Sequence, residues 1–217
     1  MKPLVILFTL AAATVATRFE SPTGTPTTRA PMADAEYVAR LTPINSAGSH
    51  VSPSGEVRFL VHGDSLTITA HLRNVAPNIE HWQHFHGKPD GSQSRCPTVA
   101  ADTSHDGLVD ILETEPAAGT TMVPFNADPV GMDIPTNTYP HATASGTYDY
   151  TRTVSLAALQ AAFGQHYAGH QIDLARRVAM VHGVPESITL PRTVASLGTI
   201  PARTTFPIAC GAIVRVR

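Results

Sequence analysis

The chain has 217 residues, 42% of them hydrophobic and 15% charged, with a net charge of −2 at neutral pH. That balance can fill one sizeable core and gives no basis for binding nucleic acid or another polyanion. With 18 prolines, 15 glycines and only 6% aromatic residues it suits a loop-rich β protein better than a helical bundle, and it leaves 11 histidines in need of a chemical account.

Lys2 precedes a nearly continuous apolar run from Leu4 to Val15, and Ala11, Ala13 and Ala16 offer small residues for cleavage. Residues 1–16 therefore read as a secretory signal peptide, with an uncleaved anchor as the other reading; the run is short for crossing a bilayer. Residues 17–34, rich in Thr and Pro between Ser21 and Pro31, read as a linker, and residues 35–217 as one β domain. No later stretch is apolar enough to enter a membrane, so the expected location is secreted or periplasmic. In an oxidising compartment Cys96 and Cys210 most simply form one disulfide, closing a loop of about 114 residues. The pattern sets no oligomeric state.

Along the domain, Gly55–His62 and Ser65–Leu72 alternate as two strands, with Gly63-Asp64 as a tight hairpin between them. Asn74–Asn78 breaks the pattern ahead of a histidine-rich strand, and Leu108–Glu113 is a further short strand. Residues 116–147 show little periodicity and many Pro, Gly and Asn, which predicts a long irregular excursion. Ser155–Phe163 reads as a helix with Ser155 as N-cap and Gly164 as its stop. Val178–His182 and Ile208–Val216 close the chain as strands. There is no Gly-rich phosphate loop, no Gly-x-Ser-x-Gly elbow and no His-Glu-x-x-His run, so hydrolase and metalloprotease readings have no anchor.

The run His81-Trp82-Gln83-His84-Phe85-His86-Gly87 concentrates the chemistry. On a strand His84 and His86 share a face, which makes half of a metal site, while His81 falls on the opposite face. Taken alone, the pair also reads as partly exposed strand histidines. The wider set resembles the Cu/Zn superoxide dismutase family. In that family a strand carries His-x-x-His-x-His, as His81, His84 and His86 do here, and a disulfide cysteine follows about ten residues on, as Cys96 does. A copper-ligand histidine then ends a hydrophobic strand, similar to Val181-His182-Gly183, and the second cysteine sits in an Ala-Cys-Gly context, similar to Ala209-Cys210-Gly211. The resemblance spans about residues 50–217.

It implies a Greek-key β-sandwich or flattened barrel with long loops and one short helix inserted before the penultimate strand. It further implies copper held by His84, His86 and His182, His81 as a structural residue bonded under the site, and superoxide as a small-anion substrate. Imidazole suits copper in both oxidation states, and neutral histidine needs no charge compensation on burial. The chain departs from the family in two places. Only Pro97 to His105 separate Cys96 from Asp106-Gly107, which leaves no room for a zinc loop, so zinc is not expected and the fourth copper ligand is unassigned. His105 is the nearest candidate, with His141, His166 and His170 further along. The family's anion-guiding arginine is replaced by Pro207, leaving Arg203 or Arg192 to approach from the preceding loop. A metal-binding module without turnover is the alternative reading.

Residues 102–113 also match a lone calcium loop of EF-hand type. Asp102, Ser104, Asp106, the Leu108 carbonyl, Asp110 and Glu113 occupy the ligand positions, with Gly107 at the turn. No amphipathic helix enters the loop, and an Asp-rich turn leading into a strand is the plainer reading.

Overall fold

The computed structural model describes residues 34–217; the signal-peptide reading and nearly all of the linker reading fall outside the described residues. The described residues form eight strands: β1 (Ala35–Pro43), β2 (Ser54–His62), β3 (Ser65–Arg73), β4 (Trp82–Gly87), β5 (Thr120–Pro124), β6 (Thr147–Ser155), β7 (Val178–His182) and β8 (Pro207–Arg215). They join in one sheet of order β5-β4-β7-β8-β1-β2-β3-β6, with every pairing antiparallel.

Alternation decides which face turns inward. In β2, Val57, Phe59 and Val61 are buried, and in β3 Leu66, Ile68, Ala70 and Leu72 are. The two strands pair from Ser54–Arg73 to His62–Ser65, which leaves Gly63-Asp64 as a two-residue loop. Gly63 takes φ +57°, a conformation that costs little only for glycine. The sheet curls until its edges meet through side chains rather than a ladder. On β6, Tyr148 Oη donates to Gln83 Oε1 of β4 at 3.1 Å and Tyr150 Oη donates to the Asn126 carbonyl at 2.8 Å. Phe59 of β2 meets Phe125 edge-on at 5.6 Å across the core.

Besides four-residue helical turns at Ser46–Ser49 and Ala202–Thr205, two longer helices interrupt the sheet, α1 (Ile111–Ala118) and α2 (Leu156–His166). Ser155 Oγ caps α2 by accepting from the Ala158 N–H, and the helix runs past Gly164 to His166. The chain was expected to form a strand over Leu108–Glu113; instead a turn leads into α1. The Asp-x-x-Glu spacing at Asp110 and Glu113 is a capping box, each side chain accepting from the other's backbone N–H. Residues 116–147 are less irregular than their composition implies, because β5 lies within them. Strands β1 and β6 were not assigned from sequence.

Cys96 and Cys210 are disulfide-bonded across a separation of 114 residues, tying the segment between β4 and α1 to β8. Around them Ala118, Val178, Met180 and Cys210 form a small apolar cluster on the face of the sheet away from the main core. Among the described residues no helix is long and apolar enough to cross a membrane. Replacing both cysteines with alanine is expected to lower the unfolding free energy by about 2–4 kcal/mol, the usual range for removing the constraint of a long loop. A urea titration of the double variant against the native protein checks this, and coincident midpoints would contradict it.

Candidate metal centre

Strand β4 is buried on both faces, and this places the centre. Gln83 and Phe85 point into the core, while Trp82, His84 and His86 point to the other side. Next to it, β7 sets His182 opposite Trp82 and Met180 opposite His84, so His182 shares the face of His84 and His86. The ladder shifts register between Phe85 and His86 on β4 and between Val181 and His182 on β7. In each case the extra residue belongs to the flanking strand, Met122 of β5 and Ile208 of β8, so the strands beside the histidines bend where His86 and His182 stand. The ring centroids are 5.1 Å apart for His84–His182, 5.4 Å for His86–His182 and 5.6 Å for His84–His86.

Three histidine nitrogens, one per ring, lie within 4.8 Å of one another, and this is the one such group of possible metal ligands among the described residues. Hydrogen bonding fixes which nitrogens face inward. His86 Nδ1 lies 3.2 Å from the Gly119 carbonyl and His182 Nδ1 lies 2.9 Å from the Thr205 carbonyl. A neutral ring beside a carbonyl carries its proton on that nitrogen, which leaves the other as a bare lone pair. The two Nε2 atoms then face each other at 3.3 Å with no proton between them.

Burial keeps these rings neutral. It holds the His86 pKa at about 4, against the pull of Gly119 upward, and that of His182 at about 3, with His86 adding to the depression. His84 is pushed well below 6.5 by burial, then by His182 and His86. Neither nitrogen of His84 has a hydrogen-bond partner. Leaving a buried polar group such as His84 without a partner costs about 1–3 kcal/mol. A cation among the three nitrogens would relieve both defects. Two nitrogens each about 2.0–2.1 Å from one ion in a trigonal or tetrahedral shell are separated by about 3.3–3.6 Å, which matches the observed pair. The residues present therefore fit a metal ion.

A mostly apolar cover closes the centre. Trp82, Ile111, Ile134, Leu197, Thr121 and Thr205 surround His84 and His182. A second depression reaches His86 past Glu115, Gly119 and Thr121, and Thr121 Oγ1 stands 3.5 Å from His86 Nε2. The His84 ring edge meets Tyr139 at 5.6 Å, and Tyr139 stacks on Trp82 at 5.2 Å. Glu80 holds this pair, accepting from Trp82 Nε1 at 3.2 Å and the Tyr139 N–H at 2.9 Å. Thr121, Tyr139 and the carbonyls of Gly119 and Thr205 escaped the sequence reading. The detectable signal among them was Gly119, at φ +79° where an added Cβ would strike the Gly87 carbonyl.

His81 points away from the centre. Its Nδ1 lies 3.0 Å from the His182 carbonyl and its Nε2 lies 2.9 Å from that of Ala76, so the ring bridges β7 to the loop before β4. His105 does not join the cluster; it is exposed at φ +58° on the Asp-rich turn. His141, His166 and His170 also lie outside it. Arg203 is not on the cover either. Its guanidinium pairs with Glu186 at 3.0 Å, on a separate depression.

The residues read as a calcium loop are arranged otherwise. Asp102 accepts from the N–H groups of Asp106 and Gly107. Asp106 accepts from the Leu108 N–H and from Thr193 Oγ1. Glu113 accepts from the N–H groups of Thr103, Ser104 and Asp110. Burial alone would raise the Glu113 carboxyl, but these donors outweigh it and hold it below its usual range. Ser104 Oγ turns back onto Asp102, and Asp110 caps α1 and accepts from the Ala195 N–H at 2.7 Å. Among the described residues these carboxylates serve backbone donors and do not gather into a ligand group. Their effect is to hold Ile111 and the 195–197 segment over the histidines.

Two outcomes are expected. The unfolded chain takes up protons near pH 6.5 that the folded rings refuse, so the metal-free protein is stable above that pH and weakens as it falls toward about 4 and then 3. Three such histidines give a slope of at most about 4 kcal/mol per pH unit. Chemical denaturation across this range checks it, and a flat profile would contradict it. Gly119→Ala displaces the carbonyl that orients His86 and is expected to lower metal affinity about 10–100-fold, the usual loss when such a partner is removed. Competition titration measures this, with circular dichroism reporting whether the fold is retained.

No family model matches the chain, and no curated protein does. Among solved structures, a Cu/Zn superoxide dismutase from Brucella abortus is similar at 19% identity and a TM-score of 0.38, covering 82% of this chain and 98% of that one.

Proposed function

We propose that this chain is an exported copper-binding protein of superoxide dismutase-like type, whose single centre is built from His84, His86 and His182. The observation that carries the reading is the pair of Nε2 atoms facing each other at 3.3 Å on rings whose Nδ1 atoms sit against carbonyls, beside a buried His84 with neither nitrogen bonded. Three imidazoles without a thiolate or carboxylate match copper better than the oxygen-seeking divalent cations. The disulfide supports export, since such a bond persists in oxidising compartments.

Copper bound there would supply one-electron chemistry, which suits dismutation of superoxide to O₂ and hydrogen peroxide. The chain's own residues do the preparatory work. Gly119 and Thr205 hold the imidazole protons on Nδ1, Trp82 and Tyr139 wall His84, and Ile111 and Leu197 exclude water. A second reading, copper held without turnover, is favoured by Arg203: its charge is engaged with Glu186 away from the cover. The residues lining the two depressions over the centre include Glu115 and no arginine or lysine. An anion thus meets no attracting charge at the entrance.

Metal analysis of copper-supplied protein, followed by a superoxide assay, separates these readings. One copper per chain that is lost in His84→Ala and His182→Ala, together with dismutation, supports the enzyme. Stoichiometric copper with a rate no better than the buffer supports the holding protein. Absence of copper in a folded protein contradicts both.

A further inference from the structure

We propose that the three-histidine centre is selective for Cu(I) over Cu(II). The inference rests on the copper reading above and specifies the oxidation state that the site is built to hold.

Imidazole accepts either state, so the donor type does not decide the question. Charge and burial do. All three donors are neutral, and the site's net charge is therefore that of the ion alone. His84, His86 and His182 are exposed by 3%, 0% and 1% respectively, and Trp82, Ile111, Ile134 and Leu197 cover them. The cost of moving an ion out of water grows with the square of its charge, so a doubly charged ion suffers about fourfold more than a singly charged one. No carboxylate joins the ligand group to offset it; Glu115 lines the depression that reaches His86 but is not one of the grouped ligands. Glu80, the acidic residue tied to the neighbouring aromatic pair, is bonded to Trp82 and to the Tyr139 N–H.

Spacing points the same way. Cu(II) favours tetragonal, near-planar sets, in which adjacent nitrogens at about 2.0 Å from the ion lie about 2.8 Å apart. The His86 and His182 nitrogens are 3.3 Å apart, close to the edge of a trigonal or tetrahedral set. The rings are also held against rearrangement. His86 and His182 are each anchored through Nδ1 to a backbone carbonyl, and both ride on strands paired on both sides. Flattening the set for Cu(II) would break those anchors.

The experiment uses the metal-free native chain with its disulfide intact. Cu(I) is titrated anaerobically against a chromophoric Cu(I) chelator, and Cu(II) is titrated separately against a Cu(II) chelator. Cu(I) is expected to bind at least tenfold more tightly than Cu(II); a smaller preference, or tighter Cu(II) binding, overturns the inference. Thr121→Asp is a second measurement, because Thr121 Oγ1 stands 3.5 Å from His86 Nε2 and a carboxylate there supplies the missing negative charge. That variant is expected to lower the Cu(I)-to-Cu(II) affinity ratio at least tenfold, a fall of about 59 mV in reduction potential for one electron. An unchanged ratio in a folded, copper-loaded variant also overturns the inference. Binding of neither ion by the folded native chain defeats the copper reading itself, whereas tight Cu(II) binding leaves that reading standing and removes only this one.

Discussion

Two backbone carbonyls govern the centre. By holding protons on the Nδ1 atoms of His86 and His182, Gly119 and Thr205 leave two lone pairs aimed at one point inside a dry space. Other parts of the fold can be understood by how they deliver those carbonyls. The turn from α1 into β5 presents Gly119, and its positive φ lets the chain pass against Gly87. The residues leading into β8 present Thr205, whose hydroxyl also meets Ser196 at 3.1 Å. Remove either carbonyl and the ring beside it can turn or change tautomer, and the lone pair is no longer directed.

The cover over the histidines is held from a distance. Asn45 accepts from the Val109 N–H and donates to the carbonyls of Val109 and Pro207, joining the Asp-rich turn to the start of β8. Asp110 joins the same turn to Ala195. Ile111 and Leu197 thus sit on segments bonded to each other and to the sheet. A dry site made this way favours binding that rewards low charge, and it is poorly suited to drawing an anion in quickly. A protein that gives priority to retention over traffic would be built along these lines.

Much of the scaffold was legible in the residues themselves. Strands β2 and β3 alternate cleanly about Gly63-Asp64, and the spacing of His84 and His86 placed both rings on one face. Strand β6 was not, because Thr147–Ser155 buries little beyond Tyr148 and Tyr150 and, Val154 apart, is polar elsewhere. Strand β5 is five residues long and ends in Pro124, which resembles a loop. The Asp-rich turn reads two ways for a definite reason: Asp110 and Glu113 have the same three-residue spacing in a calcium loop as in a capping box, and pattern alone cannot tell an ion from a backbone N–H. The carbonyls of Gly119 and Thr205 that direct His86 and His182 were harder to find, because any residue carries one, and only the glycine at 119 hinted at a close backbone approach.

The disulfide bears on the order in which such a protein must be assembled. The chain has 2 cysteines, and both are in the Cys96–Cys210 bond. A thiolate is a softer donor than an imidazole and competes strongly for Cu(I). Until that bond closes, the newly made chain offers a soft metal two sulfurs in competition with the histidines. Cross-linking removes the decoys and pins β8, the neighbour of the strand that carries His182. For a copper centre of the kind proposed, oxidation before metal loading would act as a proofreading step, in which the chain gives up its two most competitive wrong ligands before it meets the ion.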